Sequence, residues 1–260
     1  MAYDYIQVTS ADHVTRINMN RPDVLNAINP QMHHELEEAF NAYAADDQQY
    51  IAVISGAGER AFSAGSDLKG LANDGRVAYP EHGYAGLIER FDLNKPIIAA
   101  VDGFALGGGF EIALACDLII ATERSSFGLP EPLVGAVALG GGVHRLARQI
   151  GLKRAMGMVL TAQRVDAREG QRLGFVNEVV AVEDFDASIA GWCEKILACA
   201  PLSIAASKES MLRGLDEPSL AAAMREQADY PAFHKWQRSE DAKEGPRAFA
   251  EKRKPQWRAR

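Results

Sequence analysis

Cysteine is scarce: the 260 residues hold three, Cys116, Cys193 and Cys199, each inside an apolar stretch. An odd, small number without metal-ligand spacing excludes a disulfide framework and a thiolate metal site, and suits reduced thiols in a cytoplasmic compartment. The six histidines make no zinc pattern. His33 and His34 are adjacent, so on a helix they point in different directions, and both are expected at the surface; no metal site is expected. No apolar run approaches the ~20 residues of a membrane span. The N-terminal Met1-Ala2-Tyr3-Asp4-Tyr5 shows no basic segment leading into an apolar one, so neither a signal peptide nor a membrane partner is expected. With a net charge of −7, the chain has little excess basic charge with which to bind nucleic acid. A phosphate-binding G-x-x-x-x-G-K-[ST] is missing.

What is present has the order of an α/β protein. Val14–Met19 and Ile51–Ser55 are β-branched runs bounded by turn residues, and Ile97–Val101 and Leu118–Ala121 are short apolar runs of the buried-strand type. Between the first two, Met32, Leu36, Phe40 and Tyr43 recur at helical spacing after Pro30. Two of the strands resemble each other: 51–56 and 98–103 are both apolar and end in a small polar residue and glycine, which suggests stacked strand-loop units. The later chain changes character. Helices are expected over Glu183–Cys199, from Pro201 to about Arg213, over Leu220–Ala228 and over Asp241–Lys252, with no strand after about residue 196. The expected division is therefore a core over residues 1–195 and a helical region over 196–260 that packs on its own core or on a neighbouring subunit.

Three motifs can carry chemistry. Gly56-Ala57-Gly58-Glu59-Arg60-Ala61 fits a loose dinucleotide turn, but the residues after it are poor helix formers, so that reading fails. Gly107-Gly108-Gly109-Phe110-Glu111 lies between a strand and an apolar helical run. Such a turn lets backbone approach a ligand closely, and the helix start offers unpaired N–H groups to a carbonyl oxygen that gains negative charge. The same turn also serves as a tight connection, with Glu111 a favourable first-turn acid. In Phe127-Gly128-Leu129-Pro130-Glu131-Pro132, Glu131 is fixed between two prolines. It is either an exposed loop acid or the partner of Glu111 across one cleft, and two carboxylates around one water can divide acid and base work.

Together these blocks resemble the crotonase superfamily, the enoyl-CoA hydratases and isomerases. The resemblance runs through Ala61-Phe62-Ser63-Ala64-Gly65-Ser66-Asp67-Leu68-Lys69, Ala105 to Glu111, Pro130-Glu131 and, near the end, Arg247 to Arg253, in the family's order. It implies a spiral of ββα units with a helical C-terminal trimerisation region, and a homo-trimer or a hexamer built as a dimer of trimers. It implies an acyl-CoA substrate, with coenzyme A part of that substrate and no separate cofactor. The thioester oxygen would sit between the backbone N–H groups of Ser66, where the family commonly has alanine, and Gly108. The residue matching Glu111 holds and activates water; the one matching Glu131 exchanges a proton with Cα. Ala64, Ser66, Leu68, Lys69, Phe249 and Lys252 match CoA-binding positions, the last two often reaching a neighbouring subunit's ligand, which would make the basic C-terminal segment a local anion site.

Both glutamates together imply syn hydration of a 2-enoyl-CoA, or the reverse dehydration of a 3-hydroxyacyl-CoA. The alternatives are another reaction of the superfamily (double-bond isomerisation, carnitinyl-CoA-type dehydration or retro-aldol cleavage) or a non-catalytic CoA-ester- or RNA-binding member. One departure stands out: hydratases carry a P-G-A-G-G-like turn where this chain has Ala138-Leu139-Gly140-Gly141-Gly142. Leu139 there would supply an N–H while its side chain reshapes the acyl pocket. Leu71–Phe91, with Tyr79, His82 and Tyr84, falls where the family varies and often lines that pocket.

Overall fold

A computed structural model describes residues 3–67 and 78–260. Leu68 and Lys69 therefore lie outside the described residues. Two sheets organise the core. The larger has the order β1 (Ile6–Ala11), β2 (Val14–Met19), β3 (Ile51–Gly56), β5 (Ile97–Val101), β7 (Leu118–Thr122), β10 (Glu178–Val180). The smaller has the order β4 (Ala61–Ser63), β6 (Phe104–Leu106), β8 (Ser126–Gly128), β9 (Val165–Asp166). The chain feeds them alternately. β3 leads to β4, β5 to β6 and β7 to β8, and the successive strands pair in parallel within each sheet. The likeness of residues 51–56 and 98–103 is thus a structural repeat, with β7–β8 as its third turn.

Parallel strands need a crossover, and helices supply it. The helix α1 (Pro30–Ala45) starts where the Asn29 side chain accepts from the Met32 amide at 2.9 Å. Its buried face, including Met32, Leu36 and Phe40, packs with Ile17, Met19 and Ile54. Next come α2 (Gly108–Ala115), α3 (Gly142–Ile150), α4 (Leu152–Thr161) and α5 (Ala167–Leu173). Phe110 on α2, Phe127 on β8 and Phe175 form a triangle with centroids 5.1–5.4 Å apart. Such pairs add about 0.5–1.5 kcal/mol each beyond their burial. This triangle fixes α2, and so Glu111, against the strand that leads to Glu131.

The other face of the large sheet is covered by α6 (Phe185–Leu197), whose Ile189 and Cys193 pack with Val53, Ile98 and Ile120. It begins after a 3-10 turn at Val182–Asp184, slightly inside the expected span. After it come α7 (Pro201–Gly214), α8 (Leu220–Glu226), α9 (Pro231–Gln237) and α10 (Asp241–Ala250); among the described residues no strand follows residue 180. Lys208 on α7 ties this region to the core through the Lys95 carbonyl at 3.0 Å and Asp117 at 2.8 Å. Among the described residues no single helix is long and apolar enough to cross a membrane.

One expectation is corrected. His33 is not a surface residue: it is 2% exposed, and its Nδ1 accepts from the Ala85 amide at 2.9 Å. Segment 84–86 closes over this face of α1, a contact made across about fifty residues that local spacing does not encode.

Candidate active site

The site is assembled at the ends of β4, β6 and β8. Asn26, 1% exposed, donates to the Ala57 and Ala61 carbonyls at 2.9 and 2.8 Å. It thereby fixes the segment against which residues 64–67 are laid. Ala64 N–H donates to the Leu25 carbonyl, Ile28 N–H to the Gly65 carbonyl and Asp67 N–H to the Ile28 carbonyl, at 2.8–3.0 Å. In this parallel bridge Ile28 takes the groups flanking Ser66, so the N–H of Ser66 itself faces the opposite side. The triple-glycine turn lies close to this segment. A Cβ on Gly65 would come within 2.8 Å of the Gly108 nitrogen. Gly107 holds φ +55° before α2, a conformation that favours glycine, and Gly108 is the first residue of the helix. Its N–H belongs to the first turn, has no intrahelical acceptor, and sits at the positive end of the helix dipole. Gly65, the neighbour of Ser66, thus lies against the Gly108 amide.

The two carboxylates also converge. Glu111, 3% exposed, lies one turn into α2, and its Oε1 accepts from the Gly142 amide at 2.9 Å. Burial raises its pKa from 4.5 to about 7; the Gly142 and Gly140 amides and Arg145 oppose the rise, and Glu131 adds to it. Glu131 opens a 3-10 turn, Glu131–Val134. Burial raises its pKa too, and its buried Oε2 has no hydrogen-bond partner among the described residues. A Cβ on Gly107 would lie 3.0 Å from Glu131 Oε1, and one on Gly140 would lie 2.5 Å from Glu111 Oε2. Both acids therefore press on glycine backbone, with one held by two amides and the other left with an unsatisfied oxygen. That asymmetry is what a divided acid–base pair requires.

Leu139 is 82% exposed, and its amide donates to the Val137 carbonyl at 2.9 Å rather than to Glu111. The glycines after it do the work on Glu111. Arg145, whose side chain donates to the Ile88 carbonyl at 2.6 Å, contributes positive charge. Neither Arg145 nor the two amides was marked by the sequence reading, although the Gly140–Gly142 run signalled a close backbone approach. Tyr84, named there only as a possible pocket residue, is 4% exposed and shares a hydrogen bond with Ser66.

The CoA-matching positions are dispersed. Ala64 lies beside the site, whereas Phe249, 86% exposed, and Lys252 lie at the end of α10. Among the described residues no contact joins these two to Glu111 or Gly108. The basic segment is partly neutralised within the chain: Arg253 pairs with Glu244 and Glu251 at 2.6 Å, and Arg247 with Glu244 at 3.0 Å.

The whole chain has relatives. The family model for enoyl-CoA hydratase/isomerase matches residues 9–260. The carnitinyl-CoA dehydratases of Proteus mirabilis and Salmonella typhi are 41% and 40% identical, over 98% of this chain and 98% of each of theirs. The crystal structure of enoyl-CoA hydratase from Mycobacterium tuberculosis matches with a TM-score of 0.90 at 37% identity, over 97% of this chain and 98% of that one. The carnitinyl-CoA hydratase of Mycobacterium avium matches with a TM-score of 0.78 at 40% identity, over the full length of both. The alternating two-sheet spiral is therefore the crotonase fold, and the chain belongs to the enoyl-CoA hydratase/isomerase family, whose enzymes act on acyl-CoA substrates.

Proposed function

We propose that this enzyme adds water across the C2–C3 double bond of a 2-enoyl-CoA and catalyses the reverse dehydration of a 3-hydroxyacyl-CoA. The observation that carries this reading is the pair Glu111, buried, and Glu131, half-buried with one buried oxygen, both raised in pKa and both set against glycine backbone. The N–H groups of Ser66 and Gly108 hold the thioester oxygen as it gains enolate charge. In the hydration direction Glu111 takes a proton from water, the oxygen bonds to Cβ, and Glu131 delivers a proton to Cα. In dehydration Glu131 removes the Cα proton and Glu111 protonates the departing hydroxyl. A Glu111 pKa of about 7 suits a group that must both take and give a proton near neutrality. Coenzyme A is part of the substrate, bound by Ala64, Ser66, Leu68 and Lys69, with Phe249 and Lys252 reaching the nucleotide of a neighbouring subunit. The chemistry draws on no other cofactor.

A second reading concerns the acyl group. The rings of Tyr79 and Tyr84 lie 5.7 Å apart and His33 packs edge-on to both, beside the two carboxylates. Aromatic faces attract quaternary ammonium groups. This supports a carnitinyl-type substrate, in line with the names of the relatives, within the same hydration–dehydration chemistry. We also propose that the region 196–260 mediates assembly into a trimer or a dimer of trimers. The large apolar side chains Met211, Leu215, Leu220 and Met224, 61–77% exposed, support it.

The test is turnover of crotonyl-CoA and of its analogue with a C4 trimethylammonium, by wild type, Glu111→Gln and Glu131→Gln. Each substitution is expected to lower kcat by about 10²-fold or more on the preferred substrate. Wild-type turnover that survives both changes refutes the mechanism; a preference for the uncharged acyl group refutes the second reading alone.

A further inference from the structure

Tyr84 touches both residues of the thioester-oxygen site. The Ser66 hydroxyl donates to its phenol oxygen at 3.2 Å. A Cβ on Gly108 would lie 2.2 Å from that same oxygen, so the phenol occupies the space over the Gly108 Cα where any other residue would put a side chain. Having accepted from Ser66, the phenol keeps its own proton for donation. Burial, with Glu111, Tyr79 and Glu131 around it, pushes the phenol pKa well above its ordinary value, so it stays protonated.

The segment carrying Tyr84 is held against α1. Gly83, Ala85 and Gly86 all have positive φ, at 74°, 57° and 59°. For Ala85 that conformation is strained and persists only where the surroundings impose it. They do so through the Ala85 amide, bonded to His33 Nδ1 at 2.9 Å, and through His82, bonded to Glu37 at 2.5 Å. The His33 ring stands edge-on to the Tyr84 ring, with centroids 4.5 Å apart. Burial lowers the His33 pKa to about 4, so Nδ1 remains an acceptor at neutral pH.

We propose that Tyr84, acting through Ser66 and against Gly108, is a positioning residue that sets the alignment of the two amides on the thioester oxygen. The proposal rests on the hydratase reading above. Its test uses Tyr84→Phe, Ser66→Ala and the double variant, with two readouts. The first is kcat and KM on the substrate the wild type prefers. The second is the infrared band of a 13C-labelled thioester carbonyl in bound acyl-CoA, which reports polarisation by the amides and does not respond to mere loss of stability. Each single variant is expected to lower kcat by about tenfold with KM within about twofold, less than the loss of a direct oxyanion donor. Each should return the carbonyl band part of the way toward its free position. The double variant is expected to be no worse than the worse single, since the two hydroxyls act as one unit. An unchanged band and an unchanged kcat in Tyr84→Phe overturn the proposal. If Tyr84→Phe fails to fold, Ser66→Ala breaks the same contact from the other side and decides it by the same band. A wild type that binds acyl-CoA without turnover refutes the hydratase reading instead, and the band still judges Tyr84. A wild type that binds none refutes both.

Discussion

Glu111 makes a prediction that runs against the usual behaviour of a carboxylate. Its pKa rises from 4.5 to about 7 on folding, chiefly through burial. The folded state therefore holds this proton more tightly than the unfolded chain does. Below about pH 4.5 both states are protonated and the group costs nothing; as pH rises toward about 7 the unfolded chain gives up its proton first, and stability falls. Each pKa unit corresponds to about 1.4 kcal/mol, so the full penalty above the window is of the order of 3 kcal/mol. Glu111→Gln removes the titration. It also sets an amide NH2 against the Gly140 or Gly142 N–H, at a cost of about 1–3 kcal/mol that does not vary with pH. The useful quantity is therefore the change between two pH values in the stability difference of variant and wild type. From pH 4 to pH 8 the variant should gain about 3 kcal/mol on the wild type, or about 6 °C in Tm for a chain of this size. Thermal unfolding across that range, at fixed protein concentration, is the assay. A stability difference that stays constant with pH would refute the claim that Glu111 is buried with a raised pKa. The kinetic counterpart is a fall in kcat/KM for hydration as pH drops below about 7, because the base then carries a proton.

Two other outcomes follow from the geometry. Gly140→Ala would place a Cβ 2.5 Å from Glu111 Oε2, so the carboxylate must move; kcat should fall by about tenfold or more in steady-state hydration assays, with KM for the CoA ester little changed. Replacing Leu215 and Leu220, 72% and 77% exposed, with Glu should leave the fold's circular dichroism intact and shift the mass by light scattering from the trimer or hexamer to the single chain; a wild type of single-chain mass would refute the assembly.

Legibility in the sequence followed burial. β3, β5 and β7 are apolar almost throughout, because both of their faces are packed, one with α1 and α2 and the other with α6, and their boundaries were readable to within a residue. β1 was missed because an edge strand with an exposed face, Gln7-Val8-Thr9-Ser10, has no apolar run to read. β4, β6, β8 and β9 were missed because two or three residues carry no period. The first three of these are also the strands whose ends carry the site. The part of the fold that positions chemistry was therefore the part least visible in hydropathy, and the ordered motif blocks revealed it.

The site divided along the same line. Glu111, Glu131 and Gly108 were named from motifs, since glycine and proline mark backbone conformations that chemistry exploits, and Ser66 followed from the family resemblance. What turns two glutamates into an asymmetric pair was not legible. The Gly140 and Gly142 amides reach Glu111 across about thirty residues, and Glu131 Oε2 has no hydrogen-bond partner among the described residues. Both facts belong to the tertiary structure. They support the proposed roles, in which the acid held by two N–H groups is fixed in place for water and the acid with an unpartnered oxygen has a lone pair ready for a substrate proton. A buried, unpaired carboxylate oxygen destabilises the resting protein, and a Cα proton taken during turnover is what would satisfy it.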